Sequence, residues 1–455
     1  MNKESKRLES LEKNTITNED KNIFLGVVLA GFLFNILYGV IQNEFGHDGN
    51  SLFFIFKGDP FADFFKSSLS YVSYDAERFK QFPNVYTYLI DNPYKGAQAL
   101  NDVNILTNFH NPPGTVLIKL LQADLIKKYG PVPAFELVAV LSICVLLKSL
   151  KMAGGYKSYF YVFFLLMFSY PVLFALFRGN TQAIINASAL IGFMAFANDE
   201  RRSIVRSILL AISINLRPVS VVFILYYFLK GNYKEFLRNA LIVFGFTIII
   251  LYISLVYDSA RYDGYDIKTF LEGVRHYKWI YIISPRYLQE EFNTSIYAII
   301  RNNEVYNLGI DSVKLLVFGL IGMVLIVVKG QMVYDKAMYS GLELFYLLFF
   351  VYIVLFPLTI VYHLIPLLGM ISLALRNKKT LGAFKTAFIV VPSFIVITSK
   401  DFLGKGYYEP VLFDHKYDLQ LLLNVSAILL SVISILVYRV KKTVKMLLLE
   451  MIMAK

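Results

Sequence analysis

Apolar residues in this chain fall in long runs, and polar residues gather between them. A helix that crosses a bilayer needs roughly 17–25 mostly apolar residues. Runs of that order occur at 22–42, 134–150, 156–177, 180–198, 236–257, 312–328, 338–356, 358–375, 382–398 and 418–438. The run 203–229 is too long for one simple span and is interrupted by Asn215, Arg217 and Pro218. It predicts two short helices meeting at Arg217. The whole pattern predicts an all-α polytopic membrane protein with about twelve transmembrane helices. Residues 113–129 depart from it, because apolar Val116, Leu117, Leu120, Leu121 and Leu125 alternate there with Lys119, Gln122, Asp124, Lys127 and Lys128. That alternation predicts an amphipathic helix lying on the outer membrane face.

The short connections are basic, and this orients the spans. With the N-terminal tail (Lys3, Lys6, Arg7, Lys13, Lys21) in the cytosol, alternate counting puts Lys148, Lys151 and Lys157 on the same side. Arg201 and Arg202, then Lys230, Lys234 and Arg238, then Lys329 and Lys336 follow there. Arg376, Lys378, Lys379, Arg439, Lys441, Lys442 and Lys445 complete the set. Cytosolic enrichment in Lys and Arg is the general rule, and the alternation holds only if 113–129 does not cross. The organisation expected is a basic cytosolic tail at 1–21, one membrane domain at 22–438 and a second basic cytosolic tail at 439–455. The domain carries outer loops at 43–133 and 258–311. The first span reads as an uncleaved anchor in the inner (cytoplasmic) membrane, and both termini read as cytosolic.

Composition narrows the class further. The chain has 455 residues, 56% hydrophobic and 16% aromatic, with a formal net charge of +12. The excess charge sits in tails and short connections, so nucleic acid is a poor partner and membrane lipids are the expected surroundings. The single cysteine, Cys144, lies in an apolar run, which rules out an intrachain disulfide and speaks against a metal–thiolate cluster. No P-loop, GxGxxG, HExxH, CxxC pair or GxSxG stands in a convincing context, and Tyr262-Asp263-Gly264-Tyr265-Asp266 lacks EF-hand spacing. The residues call for no cofactor and leave a divalent metal open.

Candidate chemistry collects on the outer side. The long polar insert between about Gln42 and Tyr129 is rich in Phe and Tyr, which argues against disorder. It holds Gly58-Asp59-Pro60-Phe61-Ala62-Asp63-Phe64-Phe65 and Asn108-Phe109-His110-Asn111-Pro112-Pro113-Gly114. Asp63, set among aromatics near the membrane surface, suits proton abstraction. A solvated loop acid or helix cap reads equally from the sequence, and Asp48 and Asp59 are rival acids. His110 precedes two prolines that fix the start of the 113–129 helix. Arg178 and Arg217 interrupt apolar helices, where arginine either grips phosphate or snorkels to headgroups. Asn180 and Gln182 follow Arg178 at a predicted helix start, which favours an anion. His363 near the outer end of its span is either a site residue or a satisfied core histidine. The second outer loop adds Arg261, Arg275, His276, Lys278, Trp279, Arg286 and Arg301, a basic and aromatic mixture suited to a sugar phosphate or lipid phosphate.

Taken in order, these segments resemble the GT-C superfamily of integral membrane glycosyltransferases, and within it glycosyltransferase family 87, the polyprenyl-phosphate-mannose-dependent mannosyltransferases. Asp63-Phe64-Phe65 resembles an Asp-Phe-x-x-Tyr-like stretch, with Phe65 and Lys66 in place of a tyrosine-rich run. Asn111-Pro112-Pro113 resembles Tyr-Pro-Pro, and Arg178-Gly179-Asn180-Thr181-Gln182 is similar to an altered Gly-Gln-x-Asn segment. Asn293-Thr294-Ser295-Ile296 with Arg301 is similar to an Asn-Gln-Ser-Leu…Arg signature. Leu216-Arg217-Pro218 stands where Lys-Pro is usual, and Tyr362-His363 with Pro366 resembles a late His-rich span end. The likeness covers roughly residues 22–375.

The resemblance implies a GT-C-like fold and transfer of a hexose, mannose by the family, from a polyprenyl-phosphate sugar donor to a glycolipid or glycan acceptor with inversion. It implies Asp63 as general base and His363 as an orienting residue. For the donor phosphate it implies Arg178, Asn180, Gln182, Arg217, His110, Asn293, Ser295, Arg301 and Arg286. Two other classes share the gross features: a lipid-linked glycan transporter, and a surface-polysaccharide polymerase or ligase. A transporter places its charges at midplane between repeated halves, and no internal repeat is evident here. A ligase carries its main soluble loop late in the chain, whereas the largest insert here follows the first span.

Overall fold

The computed structural model describes Phe64 and residues 112–155, 169–177, 179–259, 310–334, 339–355, 361–398, 429–440 and 444. Among these residues the fold is all-helical. In chain order the helices are α1 (Pro113–Tyr129), α2 (Pro131–Gly154), α3 (Tyr170–Phe177), α4 (Thr181–Phe196), α5 (Ser203–Leu216), α6 (Leu225–Leu229) and α7 (Tyr233–Ser259). They continue as α8 (Ile310–Tyr334), α9 (Gly341–Leu355), α10 (Pro366–Arg376), α11 (Lys378–Leu381) and α12 (Ala383–Thr398). The last described helix is α13 (Leu429–Val440). Short 3₁₀ stretches cover Glu200–Arg202, Pro218–Ile224 and Val361–Leu364.

The helices sort into buried and outward-facing kinds. In α4 all but two residues are buried, α9 is buried from Leu342 to Ile353, and α10 from Pro366 to Leu375. Helices apolar all round belong in a core, and these three supply much of it. α4 packs between α2, α5 and α10, and α10 packs in turn on α12. α2 and α7 present apolar faces outward: Leu137, Val140, Leu141 and Val145 on one, Leu241, Phe244, Ile248 and Tyr252 on the other. α8 and α13 do the same through Phe318, Met323 and Ile326, and through Leu430, Ile433 and Val437. Water disfavours apolar surface repeated along whole helices, and a bilayer covers it. Among the described residues, two segments, Val132–Gly154 and Tyr233–Val256, are long and apolar enough to cross a membrane.

Hydrogen bonds and ion pairs tie one set of helix ends together, and nearly all the basic connections lie there. Arg376 donates to the Met152 carbonyl (3.0 Å), joining the ends of α10 and α2. Arg206 donates to the Ala197 carbonyl (2.9 Å) and pairs with Glu235, which also pairs with Arg238. Tyr226 and Lys230 both donate to Asn198 Oδ1. Lys329 donates to the carbonyl of Phe228 (2.8 Å) and lies over the rings of Phe228 and Tyr233. Glu343 begins α9 in a capping box, taking the Ser340 N–H (2.7 Å) while Ser340 Oγ takes the Glu343 N–H (3.2 Å). The same carboxylate pairs with Arg439 at the end of α13. We call this the basic end.

The residues around Arg217 form a hairpin, two short arms meeting there. α5 leaves the basic end, breaks at Arg217, and the chain returns through Pro218–Ile224 and α6 to Tyr226 and Tyr227, which bond back to Asn198 and Ala197. Ser213 Oγ and Ser220 Oγ meet across it (2.9 Å), and Ser213 also donates to Asn186 Oδ1 on α4 (2.8 Å). A hydroxyl carries one proton, so Ser220 donates in turn to Ser213. Proline at the first returning position cannot bond back to α5, and the bridge between N–H-free Pro218 and extended Arg217 makes the break. At about 1.5 Å per α-helical residue and 2.0 Å per 3₁₀ residue, each arm is about 21 Å long. α2 and α7 are about 36 and 40 Å by the same rule, against a hydrocarbon layer of roughly 30 Å. α4 and α10 are also short. The hairpin arms, α4 and α10 are therefore shorter than α2 and α7.

Candidate functional site

The structure at these helix ends follows from local sequence. Gly179 has φ +71°, a left-handed conformation that glycine adopts without strain. Its N–H bonds to the Leu176 carbonyl (2.9 Å) and the Asn180 N–H to the Ala175 carbonyl (2.7 Å), a Schellman ending for α3. Asn180 then starts α4, its Oδ1 accepting the Ala183 N–H at 3.0 Å. The chain uses the same device at the opposite end: Gly231 (φ +71°) and Asn232 close α6 with the same two bonds, and Asn232 Oδ1 takes the Glu235 N–H. Gly-Asn is thus a helix-reversal unit in this protein. Asn180 is buried and its side-chain oxygen is committed to the cap, while Thr181 and Gln182 are buried in the first turn of α4.

Arg217 lies half-buried at the hairpin tip. His363, in Val361–Leu364, is 5% exposed and meets Tyr352 edge-on (6.4 Å, 84°). The Arg217 guanidinium is near enough to His363 to act on it electrostatically. Val361–Leu364 also packs on α3 and α4. Asn180, Gln182, Arg217 and His363, which the sequence separates by nearly two hundred residues, therefore stand at the same ends of adjoining elements.

α1 lies over them. Its N-terminus is clamped by Ser254, whose hydroxyl donates to the Pro113 carbonyl (3.1 Å), and by Thr115, which donates to the Leu216 carbonyl (3.1 Å). Gly114 is required by this approach, since a Cβ there would lie 3.0 Å from the Asn215 Cβ and from its carbonyl oxygen. Pro112 is in polyproline conformation and Pro113 opens the helix, so Pro-Pro-Gly is a docking sequence. Two turns on, Gln122 Nε2 donates to Thr181 Oγ1 (2.9 Å). On α7, Thr247 is bonded to Asn215 and Ser254 to Pro113, seven residues or about 10 Å further along. α1 thus crosses from the hairpin tip to the start of α4 and is bonded to both.

This corrects the sequence expectation for 113–129. The helix exists and Lys128 is exposed as expected, but three of its polar residues do not face away from the protein. Thr115, Lys119 and Gln122 are buried together with Val116, Leu120, Ala123 and Ile126, while apolar Leu121 is exposed. The amphipathic reading assumed that polar groups seek water; here they find partners on α4 and α5. Lys119 and Gln122 were missed as site residues for that reason. Their spacing with Thr115, at i, i+4 and i+7, was the available signal.

Of the other expected site residues, Asp63, His110, Arg178, Arg286, Asn293, Ser295 and Arg301 lie outside the described residues. Phe64, next to Asp63, is buried and meets Phe135 in the first turns of α2 edge-on (5.2 Å, 75°). That contact is close to the joint between α1 and α2. Among the described residues no group of three His, Cys, Asp or Glu side chains is placed to hold a metal ion. Comparison with known protein families, with curated proteins and with solved structures finds no match for this chain.

Proposed function

We propose that this protein is a multi-pass membrane glycosyltransferase of the GT-C kind, using a polyprenyl-phosphate sugar donor, with its site away from the basic, cytosolic end. The observation that carries the reading is a convergence: buried Gln182 and His363 and half-buried Arg217 at the ends of short core helices, under α1 and inside helices with apolar outer faces. A lipid-borne anion needs such a place, reached from the apolar phase but lined by charge. Phe64, the sequence neighbour of the candidate base, packs on Phe135 beside that joint, which supports the reading.

In this reading an acceptor hydroxyl gives its proton to the Asp63 carboxylate as its oxygen forms the bond to the anomeric carbon. The bond from that carbon to the phosphate oxygen breaks on the opposite face, and polyprenyl phosphate departs with the electron pair, so configuration inverts. Arg217, with Arg178 and the basic residues of the second outer loop, balances the charge gathering on the phosphate. His363 orients the reacting groups beside Arg217. Asn180 serves by capping α4, whose positive N-terminal end favours the donor phosphate.

The test uses membranes containing the full chain and a radiolabelled polyprenyl-phosphate mannose. Transfer to a glycolipid or glycan acceptor is expected, and Asp63→Asn is expected to abolish it while donor binding persists. Translocation of an intact lipid-linked glycan without donor consumption would establish a transporter instead.

A further inference from the structure

We infer that the seam between α7 and α8 at the basic end binds an acidic phospholipid of the cytosolic leaflet, its phosphate on Lys234 and Tyr233 and an acyl chain along the two helices. The inference rests on the membrane placement proposed above and is independent of the transferase chemistry.

The seam is built around Phe228, which is exposed on α6. α7 and α8 each pack on α6, and among the described residues they pack little on one another. Lys329 of α8 joins them. It donates to the carbonyls of Phe228 (2.8 Å) and Leu229 (3.5 Å) on α6 and to the Tyr233 hydroxyl (3.2 Å) at the start of α7. The Phe228 ring lies under that ammonium, edge-on to Tyr233 (5.8 Å) and tilted against Phe236 (5.7 Å). Apolar stripes run from this contact along both helices. At roughly 100° per residue, Leu237 and Phe244 fall within about 40° of Tyr233, and Ile326 and Phe318 within about 60° of Lys329. All four are more than half exposed. Phe244 and Phe318 each stand eleven residues from the contact, or about 16 Å. That is close to one leaflet's share of a hydrocarbon layer of roughly 30 Å.

The head of the seam is cationic. All three partners of Lys329 are neutral oxygens, so this residue sets the geometry and keeps its charge. Lys234, next to Tyr233, is exposed. Among the described residues no carboxylate lies within ion-pair distance of either lysine, and the nearby Glu235 is shared by Arg206 and Arg238. Tyr233 accepts from Lys329 and keeps its own hydroxyl proton to donate. A lipid phosphate supplies acceptors for that O–H and for the Lys234 ammonium, and places negative charge opposite Lys329. The choline or ethanolamine cation of a neutral phospholipid would be repelled by the same lysines, so a headgroup of net negative charge fits best. Basic residues at this leaflet attract acidic lipids in general. Here an uncovered apolar strip of one-leaflet length begins directly beneath them, and it seats the chain of the same molecule.

Native mass spectrometry of the purified full chain, titrated in neutral detergent with phosphatidylglycerol or phosphatidylcholine, measures the lipid held. A phosphatidylglycerol with a photoactivatable group midway along one acyl chain locates it. Phosphatidylglycerol is expected to bind about tenfold tighter than phosphatidylcholine, with label on 237–248 and 318–333. Lys234→Met should weaken it about fivefold, the effect of one lysine at a membrane surface. Tyr233→Phe should cost a similar factor through the lost hydrogen bond, and the double variant more than about tenfold. Phosphatidylcholine binding should not move. Lys148→Met, which removes an exposed lysine of α2 at the same end but away from the seam, should leave both lipids unchanged. Equal affinity for the two lipids, wild-type affinity in the double variant, or an equal loss in Lys148→Met would overturn the inference. Label spread over α2 and α13 as well would overturn the site and leave the membrane reading standing. Absence of label from every helix would overturn both.

Discussion

Replacing Glu343 by glutamine tests how this bundle holds its last described helix. The Glu343 carboxylate is buried, takes the Ser340 N–H at the start of α9, pairs with Arg439 at the end of α13, and has Lys385 Nζ at 3.9 Å. Glutamine keeps the size and the cap, so the change removes charge alone. It leaves the buried Arg439 guanidinium with a neutral partner and with Lys385 no longer balanced. Removing one member of a buried pair costs about 3–5 kcal/mol. The glutamine carbonyl recovers part of the hydrogen bonding, which places Glu343→Gln near ~3 kcal/mol, or more than a hundredfold in the unfolding equilibrium. Arg439→Met should cost about 2 kcal/mol, because Lys385 and the Ser340 N–H still face the carboxylate. The double variant should cost no more than the worse single one, giving a coupling of about 2 kcal/mol. Titration from a mild to a denaturing detergent, followed by near-ultraviolet circular dichroism, reads all four proteins. Amide exchange across 429–440 locates the loss. Additive single effects, or a Glu343→Gln cost below about 0.5 kcal/mol, would refute the reasoning.

Three further outcomes are expected. Gly114→Ala should push α1 off the Asn215 backbone at a cost of about 1–3 kcal/mol, seen as faster amide exchange throughout 113–129 with 181–196 unchanged. Asn180→Ala and Asn232→Ala should each cost about 1 kcal/mol in thermal unfolding as lost caps; unchanged stability in Asn180→Ala with lost donor binding would show that Asn180 acts on the ligand instead. Cys144, the single cysteine and an exposed one midway along α2, should take less than about a tenth of its maximal label from a charged maleimide in opened vesicles, and full label in denaturing detergent. Rapid labelling before denaturation would put that face of α2 in water.

Much of the helical layout was legible because apolar run length and turn chemistry are local. The runs at 134–150, 180–198 and 382–398 appear as α2, α4 and α12, and the break at Arg217 follows from the proline behind it. That the two halves of 203–229 turn back at Arg217 followed from the basic residues at both ends; the contacts that hold them, Ser213 on Ser220 and Tyr226 on Asn198, were not legible. The Arg-Gly-Asn segment drew a ligand-binding reading. Its second copy at Gly231-Asn232, at the opposite end of the bundle, gives the Gly-Asn part a backbone explanation. The inward face of α1 was misread because a polar stripe looks the same whether water or protein covers it. Only the partners, Leu216 and Thr181, decide.

The hairpin also sets a length scale. The position of Arg217 is counted out in residues from the Asn198–Lys230 tie, along one arm and back along the other. Inserting a helical turn in a single arm would twist the tip and turn Arg217 away. Inserting one in both would raise the tip by about 5 Å and drive it into α1, whose Thr115 already bonds the Leu216 carbonyl there. The height of Arg217 is therefore graded by chain length in whole turns. A chain with this hairpin altered by matched insertions or deletions would keep the same side chains at its tip and have to reseat α1 to match.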